Sequence, residues 1–376
     1  MNITIIGAGI GGLTTALALR KKGIEAEIYE SAPAFKDVGS GISLGMNATR
    51  VFKELGIYEQ VLENGYEINS MTVLKPDMKV VSKTDFSRLE KKFGVKNVAI
   101  HRFALHNVLL DPLSDVPVHL GHQLTEIQQE DNKIGLTFQN GQTTKTDILI
   151  GSDGLRSAVR QSIFPGSTLR DAGQVCWRGI AKNILPCGLP SGLNEIWDKG
   201  KRFGFLPVNK TDLYWYAVLD KGLFRDGLSP HEVYSYYPKE IKDVIKQTPD
   251  EKIIFAELWD LKPITKWHQG NSCLTGDAAH ATTPNMGQGA CQAIESAYAL
   301  ANNLSTEQHA ETAFQKYNHE RLKKAHYVVN TSWRVGKLAQ SRNPLMAFTR
   351  NLAMQAMSAK IKEQNLVKVF DLHYFN

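Results

Sequence analysis

The apolar positions of this chain change period several times, and those changes divide it into elements. Residues 2–6 form a short continuous apolar run, the pattern of a strand buried on both faces. A glycine-rich stretch, 7–12, separates it from residues 13–22, whose apolar positions keep helical spacing until Gly23 stops them. Residues 25–29 read as a second strand, which completes a βαβ unit of about thirty residues. Further on, 47–55 is helical up to Gly56, 70–83 alternates like a strand pair around Pro76-Asp77, and 102–110 is helical again. Residues 116–121 and 123–138 are strand-like, Asn140-Gly141 is a hairpin signal, and 147–151 is another buried-strand run.

From 175 to about 263 the texture changes to strands with alternating aromatics, such as Asp212-Leu213-Tyr214-Trp215-Tyr216-Ala217-Val218. Residues 272–275 return to the apolar strand type. From Gln292 onward the pattern is helical, over 293–304, 312–329 and 344–363. The reading is an α/β fold: a discontinuous Rossmann-like domain at 1–70, 100–170 and 266–305. A mainly antiparallel sheet domain at 71–99 and 171–265 is inserted into it, and a helical tail at 306–376 packs upon it.

Composition narrows the class. With 376 residues, 42% hydrophobic and 22% charged, the chain can bury cores without covalent staples. Its four cysteines show no CxxC pairing and no metal-ligand spacing with histidine, which argues for free thiols in a reducing cytoplasm. The start of the chain shows no signal-peptide pattern, and no run of eighteen apolar residues reads as a spanning helix. The net charge of +6 is concentrated after Ser305, where 11 Lys/Arg face 5 Asp/Glu. No nucleic-acid module accompanies it, so outward-facing helix charge is the reading, with docking on a partner or membrane as the alternative.

Three turns carry candidate chemistry. Gly7-Ala8-Gly9-Ile10-Gly11-Gly12 lies between strand and helix, with Glu30 closing the next strand. In such a turn the first glycine permits the bend, the second lets backbone approach a pyrophosphate, and the third lets helix and strand pack. The helix N-terminus favours phosphate, and the acid can accept from a ribose hydroxyl. Gly276-Asp277-Ala278-Ala279-His280, followed by Pro284 and Gly287-Gln288-Gly289, also reads as a ligand loop opening a helix. Gly151-Ser152-Asp153-Gly154 follows a third apolar strand and offers Asp153 as a polar contact. His280 is a candidate either for catalysis or for support of its loop.

In this order and at these distances, the three motifs resemble those of the class A FAD-dependent aromatic hydroxylases. His101-Arg102 with Leu105 and Leu109 is similar to that family's Arg-x-x-Leu helix. Gly39-Ser40-Gly41-Ile42-Ser43-Leu44 with Asn47 is similar to its flavin-covering segment. The resemblance implies a glutathione-reductase-like FAD domain. There Gly7, Gly9, Ile10, Gly11, Gly12, Glu30 and Ser31 hold the ADP half of FAD, with Arg102 and Leu124 nearby. Asp277 is implied at the ribityl or pyrophosphate region, and Gly41 and Ser43 over the flavin. Pro284, Gly287, Gln288, Gly289, Ala290 and Cys291 are implied beside the ring, and Asp153 as serving both FAD and NAD(P)H.

The implied activity is monooxygenation with NADPH or NADH and O2 through a flavin C4a-hydroperoxide, the FAD being held non-covalently. Lys201-Arg202-Phe203-Gly204-Phe205 followed by Tyr214 resembles the bacterial urate hydroxylases, whose substrate arginine and tyrosine are twelve residues apart. Arg202 and Tyr214 are therefore the implied substrate residues and urate the favoured substrate. Salicylate, phenol and tetracycline are the alternatives, as is a reductase or oxidase without oxygen insertion. A monomer or homodimer acting on a small molecule, without nucleic acid or membrane insertion, completes the expectation.

Overall fold

In the computed structural model, which describes residues 2–37, 39–130 and 133–372, the apolar runs lie side by side. Their sheet has the order His268–Gln269, Ser272–Leu274, Ile148–Gly151, Ile3–Ile6, Glu27–Tyr29, Val118–His119. All pairings are parallel except the one at the His268–Gln269 edge. Every residue of Ile3–Ile6 and of Ile148–Gly151 is buried, so both sheet faces are covered, as continuous apolar runs require. The register matters most. Ile6 lies opposite Gly151, and Gly151 opposite Leu274, so three strands end at one level. The three motif turns therefore leave the sheet together, at the edge where open parallel sheets bind ligands.

The aromatic-rich region forms a seven-stranded sheet in the order Ile254–Leu261, Leu169–Ala181, Leu213–Asp220, Lys201–Pro207, Leu193–Trp197, Ser70–Leu74, Val80–Asp85. It is antiparallel apart from the parallel pair of Leu193–Trp197 with Ser70–Leu74. Strand alternation gives it two chemically different faces. Trp177, Phe203, Phe205, Trp215 and Ala217 form one apolar layer, which packs on helices Pro230–Val233 and Lys239–Lys246. Those helices lie inside a stretch whose aromatics read as strand. The opposite face carries Glu195, Arg202, Tyr214, Tyr216 and Arg178, as the pairs Glu195–Gly204, Gly204–Tyr216 and Arg178–Tyr216 dictate.

The segment expected as one strand at 123–138 is a hairpin of Leu124–Glu130 and Lys133–Phe138, its turn residues 131–132 lying outside the described residues. Asn140-Gly141 makes the expected turn, with Gly141 at φ 83°. A small antiparallel sheet of Gly41–Leu44, Asn97–His101 and Gly65–Ile68 escaped the pattern reading, because strands this short show too little alternation.

The tail is helical, with boundaries that differ from the pattern. The helix expected at 312–329 runs Ala310–Ala339, because Ala325, Val328, Ser332, Gly336 and Ala339 continue its buried stripe. The helix expected at 344–363 is two, Pro344–Ala356 and Ala359–Phe370, and Ser358 starts the second by accepting from the Ile361 N–H.

Helix Gly289–Thr306 is pinned to Ala310–Ala339 by a buried charge cluster. Glu295 accepts from Arg321 at 2.6 Å and from Lys324 at 2.8 Å, and also from Asn47. Burial pushes its carboxyl up, but Arg321 and Lys324 outweigh that and hold it below its ordinary value. The desolvation cost falls on Lys324, which burial holds below the usual lysine value despite its anion. Such a cluster positions helices more than it stabilises them.

Removing the carboxylate alone leaves two buried cations. Glu295→Ala should lower unfolding free energy by about 3–5 kcal/mol in urea melts of the FAD-loaded protein. Because the folded-state value is depressed, this carboxylate contributes stability above its unfolded value of 4.5, lost as pH falls through the folded one. Glu295→Gln should flatten that acid-side loss, and an unchanged acid slope would count against the cluster.

Candidate active site

The first turn is shaped by glycines with different duties. Gly7 has φ 103°, and a Cβ there would lie 2.5 Å from the Ser152 carbonyl oxygen of the neighbouring strand end. A Cβ on Gly12 would lie 1.9 Å from the Gly7 carbonyl oxygen, so helix Ile10–Lys21 can sit this close only without a side chain. Gly11 faces Ser152 and Ala293, and Ile10 is buried. Gly9 is different: a Cβ there meets nothing within 4 Å. The helix starts at Gly9 with no side-chain cap, leaving first-turn N–H groups directed at that open space. Glu30 closes the turn by accepting from the Ala8 N–H at 2.7 Å and the Ala32 N–H at 2.8 Å. The Ser31 hydroxyl donates to it at 3.0 Å.

Two charges face each other across the same crevice. Arg102 and Asp277 are solvent-accessible along the groove although protein surrounds them on most sides. Burial lowers the arginine's pKa and raises the aspartate's, and each partly offsets the other's shift. Among the described residues neither side chain has a protein hydrogen-bond partner, so both are open to a ligand. Asp153 is occupied instead: its carboxylate accepts from the Ser157 hydroxyl and, at 3.1 Å, from the Val159 N–H, capping helix Ala158–Ile163. Arg160, from the same helix, donates to the Ala278 carbonyl at 3.2 Å and so ties the second and third turns together. Leu124 is buried in the core with no polar side-chain group to offer.

The third turn continues as Pro284–Met286, Gly287 at φ 61°, and helix Gly289–Thr306, whose first residue follows Gln288 without a side-chain cap. Gln288 accepts from Asn47 at 3.0 Å, and the Gly45 N–H donates to Cys291 Sγ at 3.2 Å. Burial pushes the Cys291 thiol up to about 12, so it is an inert packing thiol. Ala290 packs beside it on the core. The strand holding Gly41 and Ser43 is thereby fastened over the start of this helix. His280 is buried against Ser296 at 2.8 Å, and burial lowers it to about 3, which makes it a neutral loop support.

Opposite this loop stands the polar face of the seven-stranded sheet. Tyr214 packs directly over Gly41, where a Cβ would be 2.5 Å from its ring. Arg178 stands near the Tyr214 hydroxyl, which burial holds well above its ordinary value. Tyr216 lies flat on Gly204, where a Cβ would come within 2.0 Å of the ring, and donates to buried Glu195 at 2.6 Å. Trp197 donates to the other Glu195 oxygen at 2.7 Å. Arg202 is fully buried. It donates to Gln340 at 3.0 Å and to Asn285, with Glu195 3.8 Å away. Asn285 in turn donates to Thr283 and to the Ser332 carbonyl. Arg202 thus joins the sheet, the Pro284–Met286 turn and the long helix. It is not an open cation, whereas Tyr214 and Tyr216 are half-buried.

The FAD binding domain family model matches residues 1–332 of this chain. The chain belongs to that family. Aurachin C monooxygenase/isomerase of Stigmatella aurantiaca is 34% identical over 371 residues, covering 96% of this chain and 95% of that protein. The 2-heptyl-3-hydroxy-4(1H)-quinolone synthase of Pseudomonas aeruginosa is 29% identical, covering 93% of each. HpxO of Klebsiella pneumoniae, solved with FAD and uric acid, superposes with a TM-score of 0.90 at 21% identity, covering 98% and 96% of the two chains. That superposition establishes the fold.

The family places the chain among FAD-dependent monooxygenases of the aromatic-hydroxylase type. The open space at Gly9, the uncapped helix start and the two unpartnered charges fit such a dinucleotide. Sequence reasoning found all three turns but missed Glu195, Asn285 and the partnership of Tyr216, for no motif marks them. Gly204 carried the one available signal, a glycine inside a strand where another group approaches closely.

The glycines separate folding from binding. Gly12→Ala should lower stability by about 1–3 kcal/mol or more, because backbone must move. Gly9→Ala should leave the melting temperature of the FAD-free protein unchanged. It should weaken FAD roughly tenfold in fluorescence titrations, since the methyl occupies the open space. A Gly9→Ala protein binding FAD as well as the wild type would place the pyrophosphate elsewhere.

Proposed function

We propose that this monooxygenase uses NAD(P)H and O2 to hydroxylate a planar aromatic heterocycle bearing an apolar tail, of the 2-alkyl-4(1H)-quinolone kind. The observation that carries the reading is the partly buried apolar cluster around Tyr214. Met71, Leu193, Met286, Leu366 and Val367 are only partly buried there and belong to one apolar cluster with Tyr214 and Tyr216. Arg178 and the Tyr216–Glu195 pair stand on the same sheet face and supply its polar end. Such a surface suits a ring with one polar edge and an apolar substituent. The names of the Stigmatella and Pseudomonas relatives point the same way, the latter to a heptyl-bearing product. Urate, a small polar anion, would require an open cation where Arg202 is already bound to Gln340 and Asn285.

In this reading the first-turn N–H groups and Arg102 hold the FAD phosphates, Asp277 the ribityl hydroxyls, and the 287–289 backbone the flavin's polar edge. Asp153 acts through the turn it caps. When bound, FAD would relay reducing equivalents from NAD(P)H and activate O2. The protein orients the substrate, excludes water and manages one proton. Attack on an electrophilic oxygen is favoured when the ring loses its N–H or O–H proton. That proton passes to the Tyr216 oxygen while the Tyr216 proton passes to Glu195, so the phenol is neutral before and after. Burial and Glu195 both hold Tyr216 well above its ordinary value, so the carboxylate, and not a phenolate, stores the proton.

The deciding measurement is NADH and NADPH consumption by the FAD-loaded enzyme with 2-heptyl-4(1H)-quinolone, urate or salicylate, with peroxide and product scored together. Coupled turnover of the quinolone is expected. Coupled turnover of urate in its place would restore the small-anion reading, and peroxide alone with every compound would make the protein an oxidase. Tyr216→Phe and Glu195→Gln should each cut coupled hydroxylation about 10²–10⁴-fold, with FAD content intact. The loss should be smaller at high pH, where the substrate ionises unaided. A loss of equal size at every pH would leave the pair a purely structural role.

A further inference from the structure

The helix Pro344–Ala356 presents the wrong face to water. Leu345 is 69% exposed, Phe348 59%, Met346 51% and Leu352 49%. Its buried residues are Ala347 and Arg350, and Arg350 is the single charge in its thirteen residues. That charge is turned inward: the guanidinium donates to the Ala339 carbonyl at 3.0 Å and lies over the Trp197 ring at 5.1 Å. An ordinary surface helix does the reverse, burying its leucines and exposing its arginine. Single exposed leucines are common on proteins, but four large apolar side chains on one uncharged helix face form a patch that calls for an occupant. Leu338 before the helix and Ile361 after it are exposed as well.

The surrounding charge says which occupant. Between Arg334 and Lys368 there are seven Lys/Arg (334, 337, 342, 350, 360, 362, 368) and one acid, Glu363. Arg334, Lys337, Arg342, Lys360 and Lys368 are exposed. A second copy seated symmetrically on this face would bring the same cations against one another. A bilayer with anionic headgroups answers both features, taking the apolar side chains below the headgroups and the lysines and arginines at their level.

We propose that Pro344–Ala356 is a peripheral membrane-docking helix that lies in the surface of an anionic bilayer. No helix among the described residues is long and apolar enough to cross a membrane, so the contact is lateral. The next helix, Ala359–Phe370, carries Leu366, Val367 and Phe370 into the apolar cluster around Tyr214. The docking face therefore leads directly to the segment that joins the apolar cluster around Tyr214. The proposal stands whatever the substrate is.

The test floats the FAD-loaded, full-length enzyme with extruded vesicles of phosphatidylcholine alone or mixed with phosphatidylglycerol. Binding to the mixed vesicles, weakened by added salt and slight on phosphatidylcholine alone, is expected. The double variant Leu345→Ser/Phe348→Ser should bind at least about tenfold less while keeping flavin content and turnover. Arg334→Glu/Lys360→Glu should lose the salt-sensitive part. Three results would overturn the idea: a wild type that floats no better than the double variant, partition indifferent to lipid charge, or sedimentation showing a dimer that Leu345→Ser/Phe348→Ser makes monomeric. The last would assign the face to a second copy.

Discussion

Three parallel strands ending at one level are the constraint from which the site follows. Ile6, Gly151 and Leu274 are register partners, so the turns that follow them have no choice but to meet. Their backbones come so close that Gly7 cannot carry a Cβ without striking Ser152, and Gly11 and Gly276 both face Ala293. What the strand ends leave between them is a trough lined by backbone N–H groups and by the open space at Gly9. Phosphate groups suit such a trough because the helix behind it has unpaired donors and a positive end. Asp277 and Arg102 add opposite charges along this crevice, and burial shifts the ionisation of both.

Around this trough, buried polar ties keep separate parts of the chain in place. Arg160 reaches from the Asp-Gly turn to the Ala278 carbonyl. Glu295 gathers Asn47, Arg321 and Lys324, so one carboxylate joins the Met46–Leu55 helix to two long helices. Arg202 does the same for the sheet, the Pro284–Met286 turn and the Ala310–Ala339 helix. These ties contribute little net stability, since desolvation offsets much of the attraction, but apolar packing cannot set angles and distances as narrowly. A monooxygenase has particular use for that precision, because its protein part works by placing a substrate and keeping water away.

The substrate side depends on glycines as much as on the aromatics they admit. Tyr214 covers Gly41 and Tyr216 covers Gly204, and each ring lies where a side chain on the glycine would stand. Tyr216 is thereby directed at Glu195, while Tyr214 turns to Arg178. One sheet face thus combines two phenols, one buried carboxylate and two arginines beside an otherwise apolar cluster. Its other face is wholly committed to the packing of Trp177, Phe203 and Trp215 against two helices. The same alternation that makes a strand amphipathic has here divided structure from chemistry.

The sequence by itself determined the parallel strands, the three turns and the glycines that shape them. Each depends on a few consecutive residues whose spacing is dictated by local geometry, as in Gly7 to Gly12 or Gly276-Asp277. It also showed a basic tail, but could not show that Arg350 would turn inward while Leu345 and Phe348 turned out. The role of Arg202 illustrates the limit. Its spacing to Tyr214 is visible in the chain, yet Gln340 and Asn285, which occupy it, lie 138 and 83 residues away. Likewise, nothing near Tyr216 announces Glu195, which is brought to it by two strand pairings. Local patterns are written in adjacent residues, whereas the partner of a buried polar group is chosen by register and packing. Those were decided only when the sheets and the long helices came together.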